Sequence, residues 1–534
     1  MRKLLRVLPI LLIVSMAFAG GMVENTNQSA EFTRMLARNA STDLDAVFFN
    51  PAGLTKLDNG MHLYLSSQTI TQTRTITSDL ATLNSDTFEG TTFAPVFPNF
   101  YFAYKMDKLV LSAGFTPIGG GGTAEFPDGL PSFETAPSAL PTLLAAAGVT
   151  GYKLDVAFDG SSTYLGGQAS VSYAINDMIS VSAGVRYFLA TNTYTGHLRD
   201  IKVTTANGDF TAGDVMRGVA ALYSGAATSA SGGAASLQPL IDGGAGSVSF
   251  ANLVLGGSLP QANVDAIAAG FAALGVPGFD ATTWTPTIAQ GAYNTAAATA
   301  TATAAGYTAQ GLVLDAATAD VEVDATQTGS GFAPILGLNI SLMDKLNIGL
   351  RYEMLAPLLL TNETTVDGSG LFDDGDETNA DMPAMLGIGL SYRIMPSLNI
   401  AFDYNMYFNQ GVNWDWDNPA TTTEEVAADY VDNGSEIAIG AEFALSQALT
   451  LSGGFLMATS GAMDSYQTDL SYSLNSNTIG LGAKYTLNPQ MAISLGFSTT
   501  SYEEGQNTAV AAMTGNETYM KTATVFALGL QKSF

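Results

Sequence analysis

The chain carries little that could break or make bonds. Its only histidines are His62 and His197, and it has no cysteine among 534 residues. A Ser-His-Asp triad would have to use one of these two, and neither lies near a G-x-S-x-G turn between a strand and a helix. Thiolate zinc sites, Fe–S clusters and disulfides are impossible without cysteine. These facts argue against an enzyme. The 20 Lys+Arg against 48 Asp+Glu give a formal net charge of −28, the wrong sign for displacing counterions from nucleic acid. The acidic run Asp367, Asp373, Asp374, Asp376, Glu377 and Asp381 could offer oxygen ligands to Ca²⁺. It lacks EF-hand spacing and reads as a solvated loop, so neither a metal nor a cofactor is expected. What remains is recognition chemistry. Arg186, Arg351 and Arg393 fall inside strand-like segments and are candidate contacts for a carboxylate. Tyr404, Tyr407, Trp414 and Trp416 suit an interfacial aromatic girdle; a ligand box is the alternative.

These residues need a scaffold, and composition limits it. Only 13% of residues are charged, about half the ~25% of a soluble domain. Arg2, Lys3 and Arg6 open the chain, Val7 to Phe18 is apolar, and Ala17-Phe18-Ala19 offers a small-x-small cleavage site. Residues 1–19 therefore read as a secretory signal peptide, too short to span a bilayer. No Cys follows, which excludes a lipoprotein. No later apolar run is long enough for a transmembrane helix. An exported, charge-poor chain without a helical anchor points to an outer-membrane β-barrel.

The periodicity agrees. Near the C-terminus Thr524, Phe526, Leu528 and Leu530 share one face, opposite Val525, Ala527, Gly529 and Gln531. Ile479, Leu481, Ala483, Tyr485 and Leu487 share another, opposite Gly480, Gly482 and Lys484. Lys484 must face the lumen, because a cation at lipid depth costs ~2–4 kcal/mol. Short turns centre on Asp107, Asn176, Asp344, Pro396, Gln447 and Pro489. Longer polar connections fall near 78–94, 119–160, 196–320, 366–380, 413–434, 461–471 and 503–519. Six short and seven long connections join fourteen strands, and short turns on one side with long loops on the other mark a transmembrane barrel. A soluble β-helix or sandwich is the alternative. The expected fold is thus an all-β, fourteen-stranded antiparallel transmembrane barrel over residues 60–534, with a long, partly helical extracellular insertion at 196–320. Within that insertion Val264, Ile267, Phe271 and Leu274 have helical spacing after a possible Asn263 cap. Short helices over the outer mouth are expected there, and a mobile Ala/Thr tract at 291–305.

Residues 27–55, ahead of the first strand, read NQSAEFTRMLARNASTDLDAVFFNPAGLT. Asp45, Phe48, Phe49, Asn50, Pro51, Ala52, Gly53 and Leu54 resemble the N-terminal segment of the FadL family, outer-membrane transporters of long-chain fatty acids and other hydrophobic compounds. Leu111 to Gly119 resembles that family's third strand, and 331–352, 383–404 and 436–457 resemble later strand pairs. The similarity covers most of the chain except the 205–320 insertion. It implies a fourteen-stranded barrel whose lumen is closed by an N-terminal hatch, here residues 20–59.

The resemblance gives Phe48, Phe49, Asn50, Pro51 and Ala52 the role of gate; a simple turn into the first strand is the alternative. It gives Gly114, Phe115, Pro117 and Gly119 the role of a lateral wall opening; a strand ending at the outer rim is the alternative. The implied activity is passive uptake of a fatty acid or another hydrophobic ligand in the outer membrane of a Gram-negative-type bacterium. The implied surroundings are outer-membrane lipid, lipopolysaccharide and the barrel assembly machinery, and the implied state is a monomer. A general porin and a surface adhesion protein are the competing functions. The long third loop and the short acidic fourth loop depart from the family pattern.

Overall fold

A computed structural model of the chain describes residues 22, 27, 29–343, 345–414, 427–507 and 515–534. The expected signal peptide and Trp416 lie outside them. The described residues form two compact units.

The larger unit is a closed antiparallel barrel of fourteen wall strands. They are β1 (Gly60–Ser78), β2 (Thr87–Met106), β3 (Leu109–Phe126), β4 (Val149–Ala174), β5 (Ile179–Thr205), β6 (Val321–Leu342) and β7 (Leu346–Glu353), then β8 (Met385–Met395), β9 (Leu398–Tyr407), β10 (Gly434–Ala444), β11 (Leu449–Thr459), β12 (Ser476–Asn488), β13 (Met491–Tyr502) and β14 (Glu517–Ser533). The last strand closes on the first, in a ladder running from His62↔Ser533 to Ser78↔Glu517. Closure leaves no free edge, the condition for a sheet to sit in lipid. The alternation read from the sequence holds. Phe526, Leu528 and Leu530 point outward, while Ala527 is buried inside. No helix among the described residues is long and apolar enough to cross a membrane.

The wall strands run further than the sequence pattern marked. β2 begins at Thr87, β3 continues to Phe126 and β5 to Thr205, where polar loops were expected. There the pairing outlasts the sequence alternation, as in the β5–β6 ladder from Ile179↔Ile340 to Leu198↔Val321. β7 and β8 are both broken. β7 resumes at Leu359–Asp367, and β8 is preceded by Glu377–Asn379. Pro357 and Pro383 sit in the two breaks and have no N–H to give a ladder. An isolated Ala356↔Met382 bridge spans the break, and Ala356, Leu358 and Leu360 turn into the core.

In the smaller unit the insertion is dominated by two long antiparallel helices rather than short ones. These are α3 (Ala212–Ser236) and α5 (Pro286–Ala317), with α4 (Gln261–Ala273) between them in sequence. Arg217 pairs with Asp315 at 2.5 Å, and Tyr223 stacks on Tyr307. The 291–305 tract lies inside α5 and is regular. Alanine has the highest helix propensity, and the threonines bond back one turn, as Thr301 Oγ1 does to the Ala297 carbonyl at 2.8 Å. The cap of α4 is Pro260 rather than Asn263. Val264 and Phe271 are buried as the spacing implied, and Phe271 stacks on Tyr293 with centroids 4.0 Å apart.

Candidate transport site

The N-terminal segment occupies the inside of the barrel wall. It contains α1 (Ala30–Arg34), α2 (Ala46–Phe49) and a 3₁₀ turn over Pro51–Lys56. Ser29 caps α1 through Phe32 N–H, and the Asn50 side chain caps the 3₁₀ turn through Ala52 N–H, with Pro51 in its first turn. These short elements cannot be stable alone. The wall supplies the rest. Asn50 Nδ2 donates to the Leu338 carbonyl at 3.0 Å. Ser172 Oγ donates to the Pro51 carbonyl at 2.7 Å, and Ser180 Oγ to the Ala52 carbonyl at 2.8 Å. Gln168 Nε2 reaches the Val47 carbonyl at 2.6 Å.

Buried charges hold the other end. Arg34 meets Glu31 at 2.5 Å and Glu442 of β10 at 2.6 Å. Arg38 meets Asp45 at 2.6 Å, and Lys484 of β12 lies 3.7 Å from Glu31 and 3.6 Å from Asp43. Lys484 does face the lumen. Asp403 accepts from the Arg38 and Asn39 backbone N–H groups at 2.5 and 2.7 Å. Burial disfavours an ionised Glu31, but Arg34, Lys484 and Arg38 outweigh it and hold that carboxyl below its ordinary range. Lys484 likewise lowers Asp43, against the opposing effect of burial.

Glycine makes this approach possible. A Cβ on Gly349, Gly389 or Gly480 would overlap the backbone of Asn39, Ala40 or Thr33. On Gly454 it would lie 2.8 Å from Leu36 N, and on Gly496 3.0 Å from Arg34 N. The lumen-facing glycines of successive strands thus form a bed for the main chain of residues 33–40.

Phe48 sits where the two arginines meet. The Arg186 guanidinium lies 4.7 Å and that of Arg351 5.1 Å from its ring centroid. Both arginines bond Glu353, Arg186 at 2.6 Å, and Arg186 also bonds Gln168. Phe48 packs edge-on against Phe49, which stacks on Phe32. Arg186 and Arg351 are therefore brought together beneath the segment. Arg393 is not: it is exposed near the β8–β9 turn, with its N–H bonded to the Lys345 carbonyl.

Beyond the segment lies a cavity of about 460 Å³, within the range of small-molecule sites. Phe32, Phe48, Phe49 and Leu36 line one part of it, and Gly119, Gly120 and Gly122 of β3 another. Tyr407 also lines it, and Trp414 is buried, so neither belongs to an interfacial girdle. Tyr404 is partly exposed.

The third strand is not itself interrupted. β3 pairs with β4 along its length, with irregularities at Pro117/Gly119 and Gly120/Gly122. The discontinuity is on its other side. The β2–β3 ladder runs from Met106↔Leu109 to Phe100↔Phe115 and then stops until Thr91↔Glu125. Pro95 and Pro98 of β2 and Pro117 of β3 lie within this stretch and have no N–H to donate. Thr116 Oγ1 bonds Asn99 Oδ1 across it, and the buried Asn99 Nδ2 is unpaired. The unladdered part of β3 is the part that lines the cavity. Gly114 packs close to Val47 and Tyr101, while Phe115 points outward. Pro95 and Pro98 are the site residues that sequence reasoning passed over. The signal was present in Phe93-Ala94-Pro95-Val96-Phe97-Pro98, two prolines within one apolar run.

Comparison with known proteins agrees with the barrel fold. Residues 361–534 match a family described as outer membrane protein beta-barrel domain. A Pseudomonas aeruginosa FadL homologue superposes with a TM-score of 0.57 at 13% identity, covering 97% of this chain and all of that one. The fold is that of the FadL-type outer-membrane barrels. The P. putida toluene transporter TodX superposes with a TM-score of 0.51 at 14% identity, covering 92% of this chain and 95% of that one. No curated protein sequence matches. Both matches extend over nearly the whole length of the FadL-type chains.

Proposed function

We propose that this FadL-type barrel lets hydrophobic compounds, including long-chain fatty acids, cross the outer membrane by passive diffusion. The observation that carries this reading is the cavity lined by Phe32, Phe48 and Phe49 on one side and by the unladdered β3 glycines on the other. The neighbours described as a FadL homologue and a toluene transporter support it. Residues 20–59 act as the hatch, with Phe48, Phe49, Asn50, Pro51 and Ala52 as its gate. The stretch between β2 and β3, with Gly114, Phe115, Pro117 and Gly119, acts as a lateral opening. Burial of an apolar chain is worth about 0.8 kcal/mol per methylene, so capture needs few polar contacts. A lateral exit spares the ligand a passage through water.

Deleting residues 20–59 tests the hatch. Ion conductance in planar bilayers should rise and uptake of an apolar compound should change. If both stay as in the intact protein, the hatch assignment fails. Permeation of small sugars through the intact chain would instead indicate a porin.

A further inference from the structure

The helical insertion holds a cavity of its own, of about 530 Å³, wholly within the smaller unit. That size falls among small-molecule sites. One wall is α3, with Ala226, Ser229 and Gly233, and the other is α4, with Ala266, Gly270 and Ala273. Spaced three or four residues apart, each set shares one helix face. Tyr293 of α5 reaches both walls. Its hydroxyl donates to the Ile267 carbonyl of α4 at 3.2 Å. A Cβ on Gly233 would lie 2.8 Å from its ring, and one on Gly270 would overlap its hydroxyl. Phe271 stacks on the same ring, and Trp284 packs edge-on against Phe271. Tyr293 is thus a strut, fixed by the aromatic core of the insertion, and it keeps α3 and α4 from closing on each other. Protein interiors rarely keep voids larger than a water molecule. Leucine at Ala226 or Ala266 would fill part of this one at little cost in helix propensity. The lining also limits what can enter. No charged side chain among the described residues lines the cavity, and Leu237, Leu240, Ile267 and Leu274 supply apolar surface. A charged guest would lose its hydration and gain no partner. Ser229 and Asn263 line the cavity and are exposed, and their side chains can bond one hydroxyl or carbonyl.

We infer that the insertion carries its own binding site, between α3 and α4, for a compact, neutral, ring-bearing molecule with one hydroxyl or carbonyl. The rings of the guest lie against Tyr293 and the leucines, where aromatic and aliphatic surface is buried together. Its polar end meets Ser229 and Asn263. Because Tyr293 bridges the two walls, the space is bounded at its floor. It suits a compact guest rather than the long apolar face of a partner helix. The site is built by the insertion alone, so the inference goes beyond the transport reading of the barrel and does not rest on it.

The test is amide hydrogen exchange on the full chain in lipid nanodiscs at neutral pH, with 2-naphthol or 2-naphthoate added. The two probes share a ring system and differ in charge. With 2-naphthol at about ten times the dissociation constant found by titration, exchange at 226–240 and 261–274 should slow about tenfold. 2-Naphthoate should leave it unchanged. Ala226→Phe/Ala266→Phe, which fills the cavity from both walls, should abolish the slowing. Amides at 300–312 in α5 should exchange in that variant as in the wild type, which reports a folded insertion. The milder Ala226→Leu/Ala266→Leu should reduce the slowing. If the filled variants respond to 2-naphthol as the wild type does, the guest sits elsewhere and the inference falls. If 2-naphthoate slows exchange as much as 2-naphthol, the site is not selective for a neutral guest and the inference falls. If 2-naphthol slows exchange only at residues lining the barrel cavity, the inference falls and the transport reading stands. If it slows exchange nowhere, the inference falls and a partner helix becomes the better occupant, while the transport reading is still decided by conductance and uptake.

Discussion

At the scale of single residues, the N-terminal segment is held by charges that have no water to fall back on. Arg34 is fully buried between Glu31 and Glu442. Arg34→Ala would leave those carboxylates without their main partner, and breaking a buried pair costs about 3–5 kcal/mol. The expected result is release of the segment, read as raised bilayer conductance and new protease cleavage near residues 30–45. An unchanged cleavage pattern would refute it. The same pair fixes a pH response. The Glu31 carboxyl is held below its ordinary value of 4.5. A lowered carboxylate gives stability that is fully present above 4.5 and is lost as pH falls toward its folded value. Conductance should therefore stay flat from pH 8 to about 5 and rise only on stronger acidification. A rise already at pH 6 would point to another group.

At the scale of elements, two features set the geometry: the glycine bed under residues 33–40 and the prolines beside the β2–β3 gap. Gly480 meets the Thr33 carbonyl at 2.5 Å from where a Cβ would stand. Gly480→Val forces main chain away from main chain, which no rotamer change relieves. Conductance should rise as it does for Arg34→Ala, while the barrel keeps its heat-modifiable migration on gels. For the gap, Pro95→Ala with Pro98→Ala returns two N–H donors to β2. Amide exchange across 92–99 should slow, and uptake of an apolar compound should fall several-fold. Unslowed exchange with undiminished uptake would show that the prolines do not keep the gap open. The strand pairs themselves were readable from sequence, because alternation between lipid and lumen repeats every second residue. The breaks in β7 and β8 were not, since Pro357 and Pro383 mark a loss of donors without telling which way the wall bends.

At the scale of the whole molecule, the insertion has its own core. Phe250, Phe271, Phe279, Trp284 and Tyr293 pack against one another within it. Replacing residues 212–317 with a short flexible linker should leave barrel formation intact, since closure of β1 on β14 involves none of them. Circular dichroism should lose its helical component and keep its strand component. Failure to form a heat-modifiable barrel would show that the insertion is needed for assembly.

The sequence by itself determined the strand count, the inward face of Lys484 and the absence of cysteine chemistry, because each follows from composition or from a period of two. It also contained Asn50-Pro51-Ala52 and the buried positions of α4. Only the tertiary structure decided which cations are paired. Arg186 and Arg351 meet through Glu353 and Phe48, while Arg74 and Lys521, 447 residues apart in sequence, become neighbours when the last strand closes on the first. It alone placed the gap beside β2 rather than within β3. The physical reason is the same in both cases. A one-dimensional pattern records which face a residue takes, but a partner across a ladder exists only after the barrel closes and its register is set.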